Sequence, residues 1–380
     1  MFFSPIPPFT LHDWIIIKRI QQLFIVAIQM KQNKTTPGLI VLLGSGETLP
    51  FSGAIHELIA QRLDNPPKIA ILETPAGFEP NSDQVAGKIA QFLEKRLQNF
   101  HPTITVVPVR KQGTAFSPNN PNIVQPLFEA NWLLLGPGSP TYAVRQLENS
   151  LAFEIIAAQN RLGATLLLSS AATLAFSHYT IPVYEIYKVG EDLHWKKGLD
   201  YLGMFGLSLV IVPHWNNQDG GDELDTSRCY IGQRRFAQLC QLLPSGHTIV
   251  GLDENTGLVI DPENECCLVM GKGSVTLLRE DKPNGRIFAA NTSFPVSELG
   301  NWHLPVNGEG IKTAVWEQTL ATRKQQPTPT ATVLNLLEQR QAARDRRDWA
   351  TADQLREQIL TLGWQIKDTS TGSQLEQTNN

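Results

Sequence analysis

Short apolar runs that stop abruptly at glycine or small polar residues are the feature that most constrains how this chain can fold. Most of them are separated by stretches with the apolar spacing of amphipathic helices. The first five runs occupy residues 39–43, 68–72, 103–109, 132–135 and 165–168, and the helical stretches occupy residues 52–63, 82–98, 142–151 and 152–162. Buried strands that alternate with amphipathic helices are typical of a parallel sheet covered on both faces. The sequence therefore predicts an α/β fold with a doubly wound, mostly parallel sheet.

Three of the predicted strands are followed by small residues that leave room for a ligand. These segments are Gly44-Ser45-Gly46, Gly136-Pro137-Gly138 and Ser169-Ser170. Because ligands gather at the carboxyl ends of the strands in such a sheet, we expect the three segments to share one edge. A dinucleotide-binding interpretation of the first segment fails, because it lacks the third glycine and a ribose-binding acidic residue after the next strand. We therefore expect no nicotinamide, no other cofactor and no metal.

The strand over residues 165–168 ends in two serines and runs directly into small residues that favour a helix. A serine on so sharp a strand-to-helix turn exposes its hydroxyl, and neighbouring backbone N–H groups can receive an oxyanion. Ser170 is therefore a candidate nucleophile, although the usual pattern has glycine two residues to either side, where this chain has Leu168 and Ala172. The alternative is a core strand that leads into a helix capped by a serine.

A serine nucleophile needs a base, and the base needs an orienting group. Of the eight histidines, His214 alone directly follows a predicted buried strand, which places it at the edge of the sheet beside Ser170. Glu185 lies between the two in sequence and in an apolar frame, where an unpaired charge is costly, so it is the predicted orienting carboxylate. The alternative for Glu185 is a carboxylate that points outward from an edge strand. The backbone N–H groups of Gly138 and Ala171 are the predicted oxyanion donors.

Beyond His214 the pattern changes to short β segments separated by turns. A helix is predicted over residues 227–243, and the β segments cover residues 248–252, 257–260, 267–270 and 274–278. Strands separated by turns in this way are typical of antiparallel pairing. We expect them to extend the main sheet as an antiparallel tail.

The order of a glycine-rich strand end, a serine-alanine turn, a carboxylate and Pro213-His214 resembles the serine peptidase family of cyanophycinase and aspartyl dipeptidase (peptidase E). Two later stretches are similar to motifs of that family, residues 251–258 (GLDENTGL) to G-[IL]-D-E-x-T-A-L and residues 269–275 (VMGKGSV) to V-x-G-x-G-x-V. The resemblance covers residues 37–280 and implies the class I glutamine amidotransferase-like fold, with three flavodoxin-like layers. It also implies the site residues, with Ser170 as nucleophile, His214 as base, Glu185 as third member of the triad, and Gly138 and Ala171 as oxyanion donors.

The same resemblance implies a serine-type peptidase or hydrolase that cleaves a small peptide at a peptide or isopeptide bond next to aspartate. Binding an acidic group requires a cation, and the candidates are Arg145, Lys188, Lys196, Lys197, Arg228, Arg234 and Arg235. Because no cysteine occupies the turn at Ser170, the glutaminase chemistry of amidotransferases proper is not expected. The alternative is a catalytically weakened binding protein on the same scaffold, since both usual glycines of the turn are replaced.

Charge and cysteine usage argue against several other classes of protein. The net charge of −4 gives no overall basic footprint for nucleic acid, so no DNA partner is expected. The four cysteines form no C-x-x-C pair, which argues against a disulfide framework or a zinc site and favours the reducing cytoplasm. Residues 1–36 contain two apolar runs that are too short to span a membrane. We interpret them as a leader or a mis-assigned start with Met30 as the first residue, the alternative being an amphipathic helix on a membrane surface.

The end of the chain predicts a separate unit. We expect the main domain over residues 37–303, a linker containing proline and threonine over residues 304–332, and a helical hairpin over residues 333–380. The spacing R-x-x-A-R-x-x-x-D-W-x-x-A-D-x-L-R, from Arg340 to Arg356, resembles the C-terminal module of cysteinyl-tRNA synthetases. This resemblance implies a tRNA or protein partner. The alternative is a borrowed hairpin that docks on the main domain or on a partner, because its charges are nearly balanced and would neutralise few phosphates.

Overall fold

The computed structural model describes residues 36–280, 282–325, 331–369 and 372–378. The predictions about residues 1–36 fall, except for residue 36, outside this part of the chain. Within it, the predicted strands and helices form a large sheet covered by helices, a smaller second sheet and a C-terminal unit.

The apolar runs of the sequence form the centre of the large sheet. Its parallel strands are β1 Ile40–Leu43, β2 Lys68–Leu72, β3 Thr103–Val107, β4 Trp132–Leu135 and β5 Thr165–Ser169. Three antiparallel strands, β10 Thr256–Asp261, β11 Cys266–Gly271 and β14 Ser293–Pro295, extend it beyond β1. The strand order is β14-β11-β10-β1-β5-β4-β2-β3. Since β1, β5 and β4 are parallel neighbours, the residues that follow them lie at one edge.

Helices cover both faces of this sheet. They are α1 Pro50–Arg62, α2 Ser82–Arg96, α3 Pro121–Val124, α4 Pro140–Leu147, α5 Leu151–Arg161 and α6 Ala171–Ala175. Successive residues of β1 point to opposite faces: Ile40 and Leu42 pack in the core with α4 and α5, and Val41 and Leu43 in the core with α1 and α2. The predicted three-layer α/β fold is confirmed. None of the helices in the described ranges is both long and apolar enough to cross a membrane.

A second, four-stranded sheet contains the strand that precedes His214. It is formed by β8 Leu209–Val212, β9 Thr248–Leu252, β12 Ser274–Arg279 and β13 Lys282–Ala289, in the order β13-β12-β9-β8. The expectation of one sheet with an antiparallel tail is therefore corrected. β9 pairs in parallel with β8, and β12 is antiparallel to β9, so only β10, β11 and β14 join the large sheet.

The segment between β8 and β9 contains a shorter helix than predicted. α7 covers Gln233–Leu242, whereas the sequence predicts a helix from residue 227. Residues 228–230 instead form a left-handed turn, with φ values of +57°, +58° and +67°. Between β5 and β8, the two-residue strands β6 Tyr179–Thr180 and β7 Lys196–Lys197 pair with each other.

Part of the predicted linker is folded onto the main domain. α8 Thr313–Gln325 packs against α5, and both Ile311 and Val315 belong to the large apolar core. Because residues 304–332 contain several prolines and threonines, the sequence analysis interpreted the whole stretch as a linker. It gave no weight to Ile311 and Val315, which lie four positions apart. Residues 326–330 of the predicted linker lie outside the described part of the chain.

The C-terminal unit contains the predicted helical hairpin and a β-hairpin that the sequence analysis did not predict. The helices are α9 Ala331–Asp345 and α10 Trp349–Thr361, and the strands are β15 Trp364–Thr369 and β16 Gly372–Gln377. Val333, Ile359, Trp364 and Ile366 form a small separate core. The buried Arg340 donates to both carboxylate oxygens of Asp368 (2.9 and 2.7 Å) and so ties the helices to the β-hairpin.

Candidate active site

The end of β5 turns sharply into α6 at Ser170. Ser170 has φ +52° and ψ −115°, a conformation that non-glycine residues rarely adopt and that costs about 1–3 kcal/mol. Its N–H donates to the carbonyl oxygen of Leu43 at the end of β1 (3.1 Å). Leu168 and Ala172 are both buried in the core, so the turn forms without glycine at either position.

His214 reaches Ser170 from the second sheet. It follows β8, and its Nε2 lies 2.8 Å from Ser170 Oγ. Its backbone has φ +49°, and its N–H donates to the carbonyl oxygen of Gly44 (3.3 Å). The structure therefore brings together the serine and the histidine that the sequence analysis paired.

Glu254, not the predicted Glu185, contacts the other ring nitrogen of His214. The distance from His214 Nδ1 to Glu254 Oε1 is 2.8 Å, and Asn217 Nδ2 donates to the same oxygen (2.8 Å). The hydrogen bond with His214 lowers the pKa of the Glu254 carboxyl below its ordinary value and outweighs the opposing effect of burial. An ionised carboxylate here favours the tautomer in which Nδ1 carries the hydrogen and Nε2 is free to accept one.

Glu185 lies in a neighbouring cavity, at the start of a π-helical turn, Glu185–Val189. Its Oε1 is 3.4 Å from Lys196 Nζ. Burial would raise the pKa of Glu185, but hydrogen bonds from Thr141 and from its own backbone, together with the charge of Lys196, lower that pKa overall. The apolar sequence neighbours of Glu185 therefore do not indicate that it orients His214, because Lys196 already balances the charge of Glu185.

A sequence signal for Glu254 was present. It follows Asp253 within residues 251–258, the stretch that supported the family resemblance. Asp253 Oδ2 accepts from the N–H and the hydroxyl of Ser274 (both 2.8 Å), which fixes the turn between β9 and β10. A Cβ at Gly251 would overlap the indole of Trp215, so glycine here makes room for the residue that follows His214.

Gly138 and Ala171, the predicted oxyanion donors, line the same cavity as Ser170 and His214. Gly138 has φ +144°, and a Cβ at this position would overlap the carbonyl oxygen of Pro75. The N–H of Ser139 donates to that oxygen (2.8 Å). Glycine is therefore required at residue 138 for the turn after β4 to pack against the turn after β2.

The cavity beside Ser170 has a volume of about 350 Å³ and is mainly apolar and aromatic. Lys188 is the one cation among the described residues that line it, and its Nζ lies 4.8 Å from the centre of the Tyr187 ring. The Tyr230 ring lies 5.8 Å from that of His214, and its hydroxyl donates to Asp219 (2.7 Å). The other lining residues are Pro137, Pro140, Leu174, Val183, Tyr184 and Cys229.

The remaining cations that the sequence analysis considered do not line this cavity. The Arg228 guanidinium stacks over the Trp215 ring (3.9 Å) and donates to the Trp215 carbonyl oxygen (2.6 Å). Arg235 donates to backbone carbonyl oxygens of its own turn. Arg145 lines the neighbouring cavity with Glu185. The lining of the cavity beside Ser170, as far as the structure describes it, also lacks Lys196, Lys197 and Arg234.

Cys229 is a second nucleophilic side chain at the cavity wall. Burial, and to a smaller extent the charge of Glu254, raises the pKa of its thiol to about 12. The thiol therefore stays protonated near neutral pH and does not compete with Ser170.

In the described ranges, no group of three or more histidine, cysteine, aspartate or glutamate side chains is arranged to hold a metal ion.

The C-terminal unit is similar to part of a tRNA ligase. Residues 327–374 match the family model of the cysteinyl-tRNA ligase anticodon binding domain. The cysteine–tRNA ligase of Methanosarcina acetivorans is 52% identical to this chain over 40 residues, which are 10% of this chain and 8% of that protein. The chain thus spans less than a tenth of the length of this curated relative, and the resemblance of the tail is confirmed.

The main domain is similar to solved structures. A peptidase from an acI-B1 actinobacterium superposes with a TM-score of 0.55 and 20% identity, over 69% of this chain and 98% of that chain. A putative peptidase E protein from Listeria monocytogenes EGD-e gives a TM-score of 0.39 and 13% identity, over 64% of this chain and 98% of that chain. The first likeness confirms the fold that the sequence resemblance implied.

Proposed function

We propose that this protein is a serine-type peptidase in which Ser170, His214 and Glu254 form the catalytic triad. The proposal is carried by two contacts in series, from Ser170 Oγ to His214 Nε2 and from His214 Nδ1 to Glu254 Oε1, both 2.8 Å. A nucleophile, a base and an orienting carboxylate at these distances form the arrangement that activates a serine hydroxyl. The fold shared with a solved peptidase supports the same function.

In this mechanism the Ser170 oxygen attacks the substrate carbonyl carbon while His214 Nε2 accepts the hydroxyl proton. Glu254 stabilises the imidazolium that forms. The backbone N–H groups of Gly138 and Ala171 donate to the oxyanion of the tetrahedral intermediate. The imidazolium then gives its proton to the leaving amine, and water hydrolyses the acyl-enzyme by the same steps in reverse order.

The proposed substrate is a small peptide or isopeptide with an acidic residue at the scissile bond, as the family resemblance implies. Lys188 supports an acidic group, since it is the cation that lines the cavity among the described residues. Free cysteines at all four positions agree with a reducing compartment, and we place the enzyme in the cytoplasm.

A fluorophosphonate probe tests the nucleophile. We expect the wild-type protein to be labelled at Ser170, and Ser170→Ala to lose labelling together with hydrolysis of aspartyl peptides, by about 10³-fold or more. Ser297→Ala, which removes an exposed serine on the main domain, serves as the matched control and should behave as wild type. A wild-type protein that is not labelled, or labelling that survives Ser170→Ala, would contradict the proposal.

A second function, tRNA binding, is proposed for the C-terminal unit. The match of residues 327–374 to an anticodon binding domain favours it. Arg346, Arg347 and Trp349 are exposed on this unit, and basic and aromatic side chains are the groups that contact phosphates and unpaired bases.

An electrophoretic mobility shift with tRNA at several salt concentrations tests this binding. We expect a salt-sensitive shift for the full chain that is weakened about tenfold by the double substitution Arg346→Ala and Arg347→Ala. Arg96→Ala, which removes a surface arginine on the main domain, should leave the shift unchanged. Absence of any shift at low salt would contradict tRNA binding and favour a protein partner.

A further inference from the structure

We infer that Glu47 is a positioning residue for Ser170 and acts through the hydroxyl of Ser169; the inference rests on the proposed function. Glu47 belongs to the loop of residues 44–47 that follows β1, here called the β1 loop. This is the G-S-G-E segment that resembled a dinucleotide turn.

The β1 loop holds the nucleophile turn directly. The hydroxyl of Ser169, the residue before the nucleophile, is fully buried and donates to Glu47 Oε2 (2.8 Å). The N–H of Ser170 donates to Leu43 O just before the loop (3.1 Å). The strained backbone of Ser170 is therefore held by two contacts, one with the end of β1 and one, through Ser169, with the Glu47 side chain.

The same loop contacts the chain beside the other two members of the triad. Gly44 O accepts from the N–H of His214 (3.3 Å), and Gly44 N–H donates to Thr256 O (2.9 Å). Ser45 Oγ accepts from the N–H of Asn255, the residue after Glu254 (3.2 Å). A Cβ at residue 44 would overlap the Asp253 carbonyl oxygen, so glycine is needed for this approach. All three catalytic side chains are thus placed relative to one loop.

Glu47 is itself fixed by its backbone. Its carbonyl oxygen accepts from His56 Nε2 (2.9 Å) and from Ser52 Oγ (3.0 Å), and both of these side chains are fully buried. Burial lowers the pKa of His56 to about 4, so the ring is neutral near neutral pH and donates one hydrogen to Glu47. Because the backbone of Glu47 is held by these hydrogen bonds, its carboxylate stays in position to accept the hydrogen bond from the Ser169 hydroxyl.

The need for such a support follows from the sequence of the turn. Leu168 and Ala172 stand where glycines usually relieve crowding around the nucleophile. A turn without them depends more on contacts that hold Ser170 in its reactive conformation. The Ser169–Glu47 hydrogen bond supplies one of these contacts.

The test measures the kinetics of fluorophosphonate labelling at Ser170 in the full-length protein. Glu47→Ala should lower the maximal rate of inactivation by about 10- to 100-fold with little change in the concentration that gives half-maximal rate, because the nucleophile is misplaced rather than the probe site lost. Glu47→Gln should stay within about threefold of wild type, since an amide oxygen accepts the same hydrogen bond. Glu57→Ala, a surface glutamate on α1, is the matched control.

Ser169→Ala removes the donor and should reproduce the Glu47→Ala loss, and the double variant should lose no more than either single one, because both break one interaction. Ser169→Ala also serves if Glu47→Ala does not fold. Normal labelling of a folded Glu47→Ala or Ser169→Ala protein, beside a labelled wild type, overturns the inference and leaves the proposed function intact. A wild type that is not labelled overturns both.

Discussion

The charge of Glu254 opposite His214 is the single-residue feature on which the proposed chemistry depends most. We expect Glu254→Gln to lower kcat by about 10²- to 10⁴-fold, because the imidazolium formed during the reaction loses its counter-charge and its tautomer is no longer fixed. Glu185→Gln is the matched variant and should change kcat by less than about threefold, since Glu185 pairs with Lys196. The measurement is steady-state hydrolysis of an aspartyl dipeptide. A large loss for Glu185→Gln with little loss for Glu254→Gln would restore the original prediction.

The pH dependence of stability tests the same contact. The pKa of Glu254 is lowered from its ordinary value of 4.5, so its carboxylate stays ionised as the pH falls through that value. The stability that this pair contributes is present above pH 4.5 and is lost as the pH falls through the lower folded pKa. The difference in free energy of unfolding between wild type and Glu254→Gln should therefore be constant above pH 4.5 and shrink in acid, as the wild-type carboxylate becomes protonated. A difference that does not shrink in acid would show that the charge of Glu254 does not stabilise the pair.

Lys188 determines the charge preference of the cavity if the proposed substrate class is right. Lys188→Glu should raise KM for peptides with an acidic residue at the scissile bond by at least about tenfold and leave kcat nearly unchanged, because uniform binding is lost. Lys197→Glu, an exposed lysine outside the cavity, is the control for the change in net charge. Equal KM values for the two variants would exclude Lys188 as the acidic-group receptor.

Two of the three members of the proposed triad could be predicted from local sequence. For the third, Glu254, the only signal was its place in the stretch 251–258, which does not say what its side chain contacts. Ser170 and His214 each follow a recognisable buried strand, so the apolar pattern predicts that each lies at the end of a strand. Glu254 follows an equally clear strand, but the pattern does not say which sheet that strand joins or which ring nitrogen its turn reaches. The contact between Glu47 and Ser169 links residues 122 positions apart and has no local signal at all.

At the scale of secondary-structure elements, the conformation of the turn after β4 is determined by its close packing against the turn after β2. Gly138→Ala should lower kcat by about 10²- to 10³-fold, because the added methyl group would overlap Pro75 and displace a proposed oxyanion donor. Gly87→Ala provides the matched control. Its Cβ meets no neighbouring atom within 4 Å, and alanine in helix α2 should keep activity and raise the free energy of unfolding by about 0.5–1 kcal/mol. Full activity of Gly138→Ala would remove residue 138 from the mechanism.

The positions of strands and helices along the sequence were predicted more reliably than the pairing of the strands. The five parallel strands and the helices between them follow from continuous apolar runs and helical spacing, since each signal lies within one segment. The parallel pairing of β8 with β9 joins segments separated by a loop and a helix, and only tertiary packing decides it. The late start of helix α7 depends on three residues with positive φ, a conformation that the residue types at 228–230 do not predict.

At the scale of the whole molecule, the chain contains a main domain and a C-terminal unit that has its own core. Asp368→Asn should lower the free energy of unfolding of this unit by about 2 kcal/mol, because the buried Arg340 would lose its carboxylate partner. The loss is smaller than for a fully buried pair, since Asp368 is partly exposed. Peptide hydrolysis by the main domain should be unchanged. Hydrogen exchange over residues 331–378 measures the first effect, and unchanged protection there would contradict it.

The effect of Asp368→Asn should also depend on pH. The Arg340 hydrogen bonds hold the pKa of Asp368 well below its ordinary value of 3.8, and Ser373 and Arg344 add to this shift against the opposing effect of burial. The stabilisation is therefore present above pH 3.8 and lost as the pH falls through the lower folded pKa. The difference in protection between wild type and variant should shrink in acid. A difference that is the same at neutral and strongly acidic pH would assign it to packing instead.

The proposed nucleophile and the proposed base belong to different sheets. Ser170 follows β5 of the eight-stranded sheet, His214 follows β8 of the four-stranded sheet, and Glu254 lies on the turn where the chain passes from one to the other. The distance from Ser170 Oγ to His214 Nε2 therefore depends on whether the two sheets are packed together. If the two sheets separate, Ser170 and His214 lose contact before either sheet unfolds, so the proposed activity requires the completely assembled fold.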